Sequence, residues 1–542
     1  MIRFGPDPQP PITAPEESMD QAFRDAMTEG YALTEPGVVI GSPMHEGEPF
    51  NDVRVHVALS MLNRHGLIAG ATGTGKTKTL QLMAGQLSKA GIPVFVADIK
   101  GDLTGLAAPG DAANPRLVER VASLDWTYEA SGHPVEFLSL SGALGAQVRA
   151  TVSSFGPLLL GKVLDLNETQ TSILALVFKY CDDRDLPLLD LKDLATTLKY
   201  LASDEGKPIL EEYGGMSSAS VGVLLRSMVV LEQEGADVFF GEPEFEVEDL
   251  LRVTPGGEGV ISILELSDVM DKPRLFSTFM LWMLAQLYES LPEAGDLPKP
   301  KLAFFFDEAH LLFADASREF LAQVQQVVRL IRSKGVGVYF VTQTPKDVPG
   351  EVLAQLSNRV QHALRAHTPN DDAAIRSTVR TFPKTVFYDL EETLTALGIG
   401  EAVVTVLDSR GSPTPVVATR LIPPASRMAP LAPEELQADI RQSALLAEYG
   451  TAVDRESARE MLAARMARTA PPATDGRAPA PTRTAPPDAA STAGKVAKVA
   501  GGAMVGALTA TIGRTIGREV VRGLFGLLGA KPPRSTTRRS RW

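Results

Sequence analysis

The chain has 542 residues, 44% of them hydrophobic and 22% charged, with a formal net charge of −13. That length accommodates two or three domains with a sizeable core, and the acidic balance argues against a surface coated for phosphate-backbone binding while leaving room for a local basic groove or a pore. The lone cysteine, Cys181, excludes a disulfide framework and fits a reducing compartment.

The opening residues, Met1 to Pro6, carry no apolar run of the secretory kind. No uncharged apolar stretch reaches the roughly 18 residues of a spanning helix, so a cytoplasmic location is expected. Residues 1–35 are Pro-rich and acidic and read as a flexible arm. Val38-Val39-Ile40 and the alternating Val53-Arg54-Val55-His56-Val57 read as short strands that open an α/β core over 36–141.

His65-Gly66-Leu67-Ile68-Ala69 is a short apolar run that suits a buried strand. It leads into Gly70-Ala71-Thr72-Gly73-Thr74-Gly75-Lys76-Thr77, which fits G-x-x-x-x-G-K-[ST], a phosphate-binding loop. Leu80, Met83 and Leu87 then recur at helical spacing up to Gly91. Strand, glycine loop and helix are the setting such a loop requires. Glycines let the backbone wrap a phosphate chain, and the N–H groups with the helix N-terminus supply positive potential. Gly70, Ala71, Thr72, Gly73, Thr74, Gly75, Lys76, Thr77 and Lys78 are therefore the expected nucleotide-binding residues. Lys76 would reach the β- and γ-phosphates and the Thr77 hydroxyl would ligate Mg²⁺.

The next apolar strand, Pro93-Val94-Phe95-Val96-Ala97-Asp98, ends in Asp98-Ile99-Lys100-Gly101-Asp102. In an open α/β sheet the carboxyl ends of strands face the ligand crevice, which places these charges on the nucleotide side. Asp98 is a candidate to hold a Mg²⁺-bound water or to orient the attacking one; a solvated strand-end turn is the alternative.

Between 142 and 250 the pattern becomes helical. Stripes run through Ile173, Leu174, Val177 and Phe178, through Leu189, Leu191, Leu194 and Leu198, and through Val221, Leu224, Leu225 and Met228. The segment reads as an inserted all-α subdomain, with Glu168 and Gln170 as helix-start residues. Cys181 lies there beside Asp182 and Asp183, which would not favour a thiolate, so it reads as structural. The core resumes over 251–425, first with the strand Gly259–Leu266 and a mostly apolar helix from Arg274 to Ser290.

Lys301-Leu302-Ala303-Phe304-Phe305-Phe306-Asp307-Glu308-Ala309-His310 is an apolar strand ending in paired carboxylates. With a phosphate loop upstream it reads as the second half of an ATP site. Asp307 would bind Mg²⁺ through water, and Glu308 would polarise the attacking water as general base. His310 reads as a packed or switch residue rather than a catalyst. A helix with Val324, Val327, Val328 and Ile331 follows, then the strand Val336–Gln343. Gln343, at its carboxyl end, suits a γ-phosphate sensor, because its amide can bond both phosphate and water; an amide capping the following Pro345 turn is the alternative. Further strands are expected at 359–364, 401–407 and 415–419, and a helical extension over 426–468.

Residues 469–494 are rich in Pro, Ala and Thr and read as a disordered linker. From Lys495 onward there are ten Lys and Arg against one acid, Glu519. Leu508, Ile512, Ile516, Val520 and Leu524 repeat every four residues, with Arg514, Arg518 and Arg522 offset by two. This is the pattern of a basic amphipathic tail helix over 495–542, suited to an anionic membrane surface, a protein partner or nucleic acid. A tail of that kind would leave the chain cytoplasmic and peripheral to a membrane.

Several stretches together resemble the HerA/FtsK superfamily of hexameric P-loop ATPases, and within it the bacterial HerA-like helicase-domain branch. They are His65–Thr79, Asp98–Leu103, Lys162–Gln170, Phe304–Phe313 and Val328–Gln343, in a resemblance covering about residues 36–425. It implies an α/β RecA-like core with a mainly parallel sheet, ATP hydrolysis with Mg²⁺, and a self-assembled ring whose active site lies between subunits. In such rings an arginine of one subunit reaches the neighbour's γ-phosphate; Arg332 is the first candidate here and Arg359 the second. The better-studied members move along or unwind double-stranded DNA. A scaffold or motor acting on a protein partner is the other reading.

Overall fold

The computed structural model describes residues 16–469 apart from 216, 314–317 and 367. Its described residues divide into two compact units, one of residues up to 150 and 230–453, the other of 151–229 and the chain from 454 onward.

The first unit is built on a 13-stranded sheet. The strands are β1 (Gly37–His45), β2 (Glu48–Pro49), β3 (Val55–Ala58), β4 (Gly66–Ala69), β5 (Val94–Asp98), β6 (Val135–Ser139), β7 (Ala146–Gln147), β8 (Ile261–Glu265), β9 (Leu302–Phe306), β10 (Val336–Thr342), β11 (Asn358–His362), β12 (Glu401–Thr405) and β13 (Val417–Leu421). They lie in the order β2-β1-β13-β12-β11-β4-β10-β9-β5-β8-β6-β7, with β3 paired to β1. From β11 to β7 every pairing is parallel, whereas β12, β13, β1, β2 and β3 join antiparallel. This is the α/β, mainly parallel architecture that the RecA-like resemblance implies.

Parallel strands covered on both faces read as continuous apolar runs, and β9 shows why. Leu302, Ala303, Phe304, Phe305 and Phe306 are all fully buried. Phe304 stacks on Phe95 of β5 at 4.3 Å between ring centroids, Phe305 on Tyr339 of β10 at 4.8 Å, and Phe306 on Phe340 at 5.1 Å. Successive side chains point to opposite faces, so the three rings pin β9 to both neighbours and fix its register. That register carries Asp307 and Glu308 to the carboxyl edge.

The arm expected over 1–35 is corrected from residue 16 onward, where Glu16–Gly30 forms helix α1. Phe23, Met27 and Tyr31 recur every four residues and are buried. Phe23 lies against His45, Phe50 and Phe387 at 5.0, 5.2 and 5.4 Å. The Tyr31 hydroxyl donates to the Pro415 carbonyl at 2.8 Å. The acidic face of α1 dominates its composition, but this apolar stripe decides its fate.

The second unit is helical, with helices at Val152–Val163, Glu168–Asp183, Leu191–Ala202, Lys207–Glu212 and, in its first part, Ser218–Leu231. Asn167 and Gln170 form a capping box, the helix-start role read from the sequence. Cys181 is buried and its thiol is pushed up to about 12 by burial, which leaves it inert. The extension expected over 426–468 is not one body. Pro433–Gln442 brings Ile440 into the core of the sheet unit, with Leu431 and Leu446 beside it. Ala458–Thr469 instead belongs to the helical unit, where Ser457 donates to the buried Asp193 carboxylate. Of the linker and tail expected over 469–542, residues 470–542 lie outside the described residues, as do residues 1–15 of the arm.

Candidate nucleotide site

The phosphate loop connects β4 to helix α2, Lys76–Lys89. Gly70 N–H points at the carbonyls of Thr342 and Gln343, each at 3.2 Å, and Ala71 N–H donates to Ala363 at 2.8 Å. The loop thus hangs from the ends of both strands flanking β4. Gly73 and Gly75 have φ of +79° and +116°, a region that side chains rarely enter. Gly75 is the N-cap of α2 without a side-chain cap, so the first helical N–H groups face the loop. Thr74 Oγ1 donates to Ala71 O at 2.7 Å, and Gly400 N–H reaches Thr74 O at 3.0 Å. Thr72 and Gly73 are exposed at the loop crest.

Lys76 is 8% exposed, with Nζ 3.3 Å from Ala71 O. Burial lowers its pKa, while Glu308 and Asp307 oppose that shift. Thr77 is half-buried on the first turn of α2. Lys78 Nζ donates to Met428 O, and burial lowers its pKa against the pull of Asp102, Asp98 and Asp307.

Across from the loop, the ends of β5, β8 and β9 gather carboxylates. Ligand oxygens of Asp98, Asp102 and Asp307 all lie within 4.8 Å of one another. Asp98 is spent on its own turn: its oxygens accept from the N–H groups of Lys100 at 3.1 Å, Gly101 at 2.9 Å and Leu103 at 2.8 Å. Asp307 Oδ1 accepts from Glu308 N–H at 3.0 Å. Asp307 Oδ2 and Asp102 Oδ1 are buried with no hydrogen-bond partner among the described residues. Burial, then Asp98, Glu308 and Asp102, raise the Asp307 carboxyl to about 7; burial foremost lifts Asp98 to about 6. Crowded carboxylates with unsatisfied buried oxygens need positive charge, and an all-oxygen donor set suits a hard cation such as Mg²⁺. The residues present fit that ion.

Glu308 is 4% exposed and has φ of +47°. Lys100 Nζ donates to its Oε1, and His310 Nδ1 lies 3.2 Å from its Oε2. Gln343 is exposed directly after β10, its carbonyl beside Gly70. The structure therefore brings the 70–78 loop, Asp98, Asp307, Glu308 and Gln343 to one edge of the sheet.

Arg332 and Arg359 are not brought there within the chain. Arg332 is exposed in the turn before β10, about 23 Å of strand away from Gln343. Arg359 stands near the start of β11, where its guanidinium donates to the carbonyls of Leu356 and Thr381, each at 3.2 Å, with Leu353 at 3.5 Å. Of the two, Arg332 is the exposed one.

Sequence reasoning missed Glu265. It ends β8 in register with Asp98, is 1% exposed, and burial followed by Asp98, Asp268 and Asp102 pushes it up to about 9. The strand-end rule that flagged Asp98 applies equally to Glu265. Also unassigned were His362, whose Nε2 shares a hydrogen bond with Thr79 Oγ1 at 2.9 Å, and the Gly398–Gly400 turn seated on the loop.

Among known proteins, the family described as helicase HerA-like C-terminal matches residues 44–533. The DNA double-strand break repair helicase HerA of Sulfolobus acidocaldarius is 21% identical over 356 residues, spanning 65% of this chain and 64% of that protein. Its counterpart from Saccharolobus solfataricus is 23% identical over 360 residues, with the same coverage. The chain thus spans a little under two thirds of the length of these relatives. A structure of the bacterial conjugative coupling protein TrwBdeltaN70 aligns with 73% of this chain and 95% of its own, at 16% identity and a TM-score of 0.47. With a family model matched across most of its length, the chain belongs to the helicase HerA-like C-terminal family.

Proposed function

We propose that the chain binds ATP with Mg²⁺, hydrolyses it, and uses hydrolysis within a ring, expected to be hexameric, to translocate along or unwind double-stranded DNA. One observation carries the hydrolysis reading: a glycine loop with a buried lysine faces two buried strand-end carboxylates, each with an orphaned oxygen and the second also held by a cation. Backbone N–H groups of Gly73–Thr77 and the Lys76 ammonium bind the β- and γ-phosphates. Thr77 and Asp307 are the residues that would hold Mg²⁺, which when bound offsets charge developing on the phosphate oxygens. The Glu308 carboxylate accepts a proton from water as that water attacks the terminal phosphorus. The Gln343 amide senses the γ-phosphate, and Arg332 of an adjoining subunit stabilises the transition-state charge there.

The DNA reading rests on the family and on relatives named as DNA repair helicases. The acidic balance of −13 favours a second reading, an ATP-controlled scaffold or motor acting on a protein partner. No helix among the described residues is long and apolar enough to cross a membrane. A membrane-surface or partner role for 495–542 stays part of the second reading.

ATPase turnover by wild type, Lys76→Ala and Glu308→Gln, with and without double-stranded DNA, tests both readings. Expected are loss of turnover in both variants by about 10²-fold or more, with ATP binding kept by Glu308→Gln. DNA stimulation should fall steeply between about 50 and 200 mM salt. Wild-type turnover in Glu308→Gln overturns the hydrolysis assignment, and indifference to DNA selects the protein-directed reading.

A further inference from the structure

The residue that the hydrolysis reading makes the base is held by its own chain through a lysine on one carboxylate oxygen, while the other has no hydrogen-bond partner among the described residues. The Glu308 side chain is 5% exposed, with Lys100 on Oε1 and His310 Nδ1 3.2 Å from Oε2. Its φ of +47° is a sparsely occupied conformation for a residue with a Cβ.

Lys100 is built differently from the other lysines of the site. Lys76 belongs to the phosphate loop and is 8% exposed, whereas the Lys100 side chain is 48% exposed and enters from solvent. It stands on a turn whose backbone is fixed, because the Asp98 carboxylate accepts the N–H groups of Lys100, Gly101 and Leu103. That turn leaves β5, and Glu308 follows β9, the adjacent parallel strand, with Ala97 opposite Phe306. A rigid turn on one strand therefore delivers a cation to a carboxylate on the next. Burial works against the charge on Lys100, but Glu308, Asp307 and Asp102 outweigh it. Without that cation the Glu308 side chain keeps no hydrogen bond among the described residues and stands beside the like charge of Asp307, which leaves its carboxylate unfixed.

We propose that Lys100 is a positioning residue that holds the Glu308 carboxylate at the mouth of the phosphate cradle, aimed at the water that attacks the terminal phosphate. This rests on the reading of Glu308 as base. The ammonium acts through Glu308 rather than by gripping phosphate, a task already met by Lys76 and the loop N–H groups.

Steady-state ATP hydrolysis by Lys100→Met and Lys100→Arg tests the assignment. A misplaced base costs turnover rather than binding, so kcat of Lys100→Met should fall roughly 10- to 100-fold with KM for ATP changed less than about threefold. Lys100→Arg, which keeps a cation, should recover most of that loss. In a Glu308→Gln background, Lys100→Met should lower the single-turnover rate no further, since what Lys100 positions is already gone. Binding of a fluorescent ATP analogue checks that each variant is folded, and Lys100→Gln carries the same comparison should Lys100→Met not fold. A kcat within about twofold of wild type overturns the proposal, as do losses that multiply in the double variant or that appear in KM alone. Failure of the underlying reading looks different: Glu308→Gln would itself turn over at the wild-type rate.

Discussion

Glu265 shows how far a single side chain in this site departs from ordinary behaviour. Its carboxyl stands at about 9 in the fold against 4.5 unperturbed, chiefly because it is buried and also because Asp98, Asp268 and Asp102 surround it. A folded-state pKa above the unfolded one means that the native chain binds the extra proton, so this group lowers stability as pH rises from about 4.5 towards 9. Glutamine mimics the protonated form. Glu265→Gln without nucleotide or Mg²⁺ should therefore unfold at a higher temperature than wild type at pH 8, with the difference shrinking towards pH 5. Parallel melting curves across that range would contradict the assignment. At this scale the sequence was eloquent where chemistry demands a rare pattern. The Gly70–Thr77 loop and the Asp307-Glu308 pair stand out because few other tasks need them. Lys100 was placed on the nucleotide side by its strand end, but its pairing with Glu308 was not legible, and Glu265 and His362 did not stand out, because these contacts arise from strand neighbours that sequence spacing does not reveal.

Among the elements, β9 and α1 make an instructive pair. The run Leu302–Phe306 was legible as a buried strand because it is apolar on both faces, and its rings meet β5 and β10. Helix α1 was illegible as structure because its Pro-rich, acidic surroundings resemble a disordered arm, while the stripe that buries it rests on Phe23, Met27 and Tyr31, with Ala26 partly buried beside them. Phe23 is fully buried among His45, Phe50, Phe387 and Tyr388. Phe23→Ala should cost about 3–5 kcal/mol, the range for removing a buried aromatic, and chemical denaturation would measure it. A loss below about 0.5 kcal/mol would restore the reading of this segment as a loose arm.

For the whole molecule, the sheet order separates what one chain supplies from what it lacks. The nucleotide-binding edge holds the loop, the carboxylates and Gln343, while Arg332 is exposed at the opposite end of β10. A ring that sets the Arg332 end of one subunit against the nucleotide edge of the next would complete the site. Mixtures of Arg332→Ala and Glu308→Gln chains should then recover turnover that neither variant shows alone, because some junctions pair an intact Glu308 with an intact Arg332. No recovery at any mixing ratio would exclude Arg332 as the shared arginine. The expectation of a ring came from the family resemblance and from no feature that a single chain's sequence spells out.

The Gly398–Gly400 turn introduces β12, the strand where the sheet changes direction, and its Gly400 N–H is bonded to Thr74 O in the loop. Arg120 secures the same turn from the other side through the Ile399 carbonyl at 2.6 Å. The phosphate grip is thereby latched to the antiparallel flank of β12, β13 and β1. A displacement of Thr74 would therefore load Gly400 first, and through it the strand at which parallel pairing gives way to antiparallel.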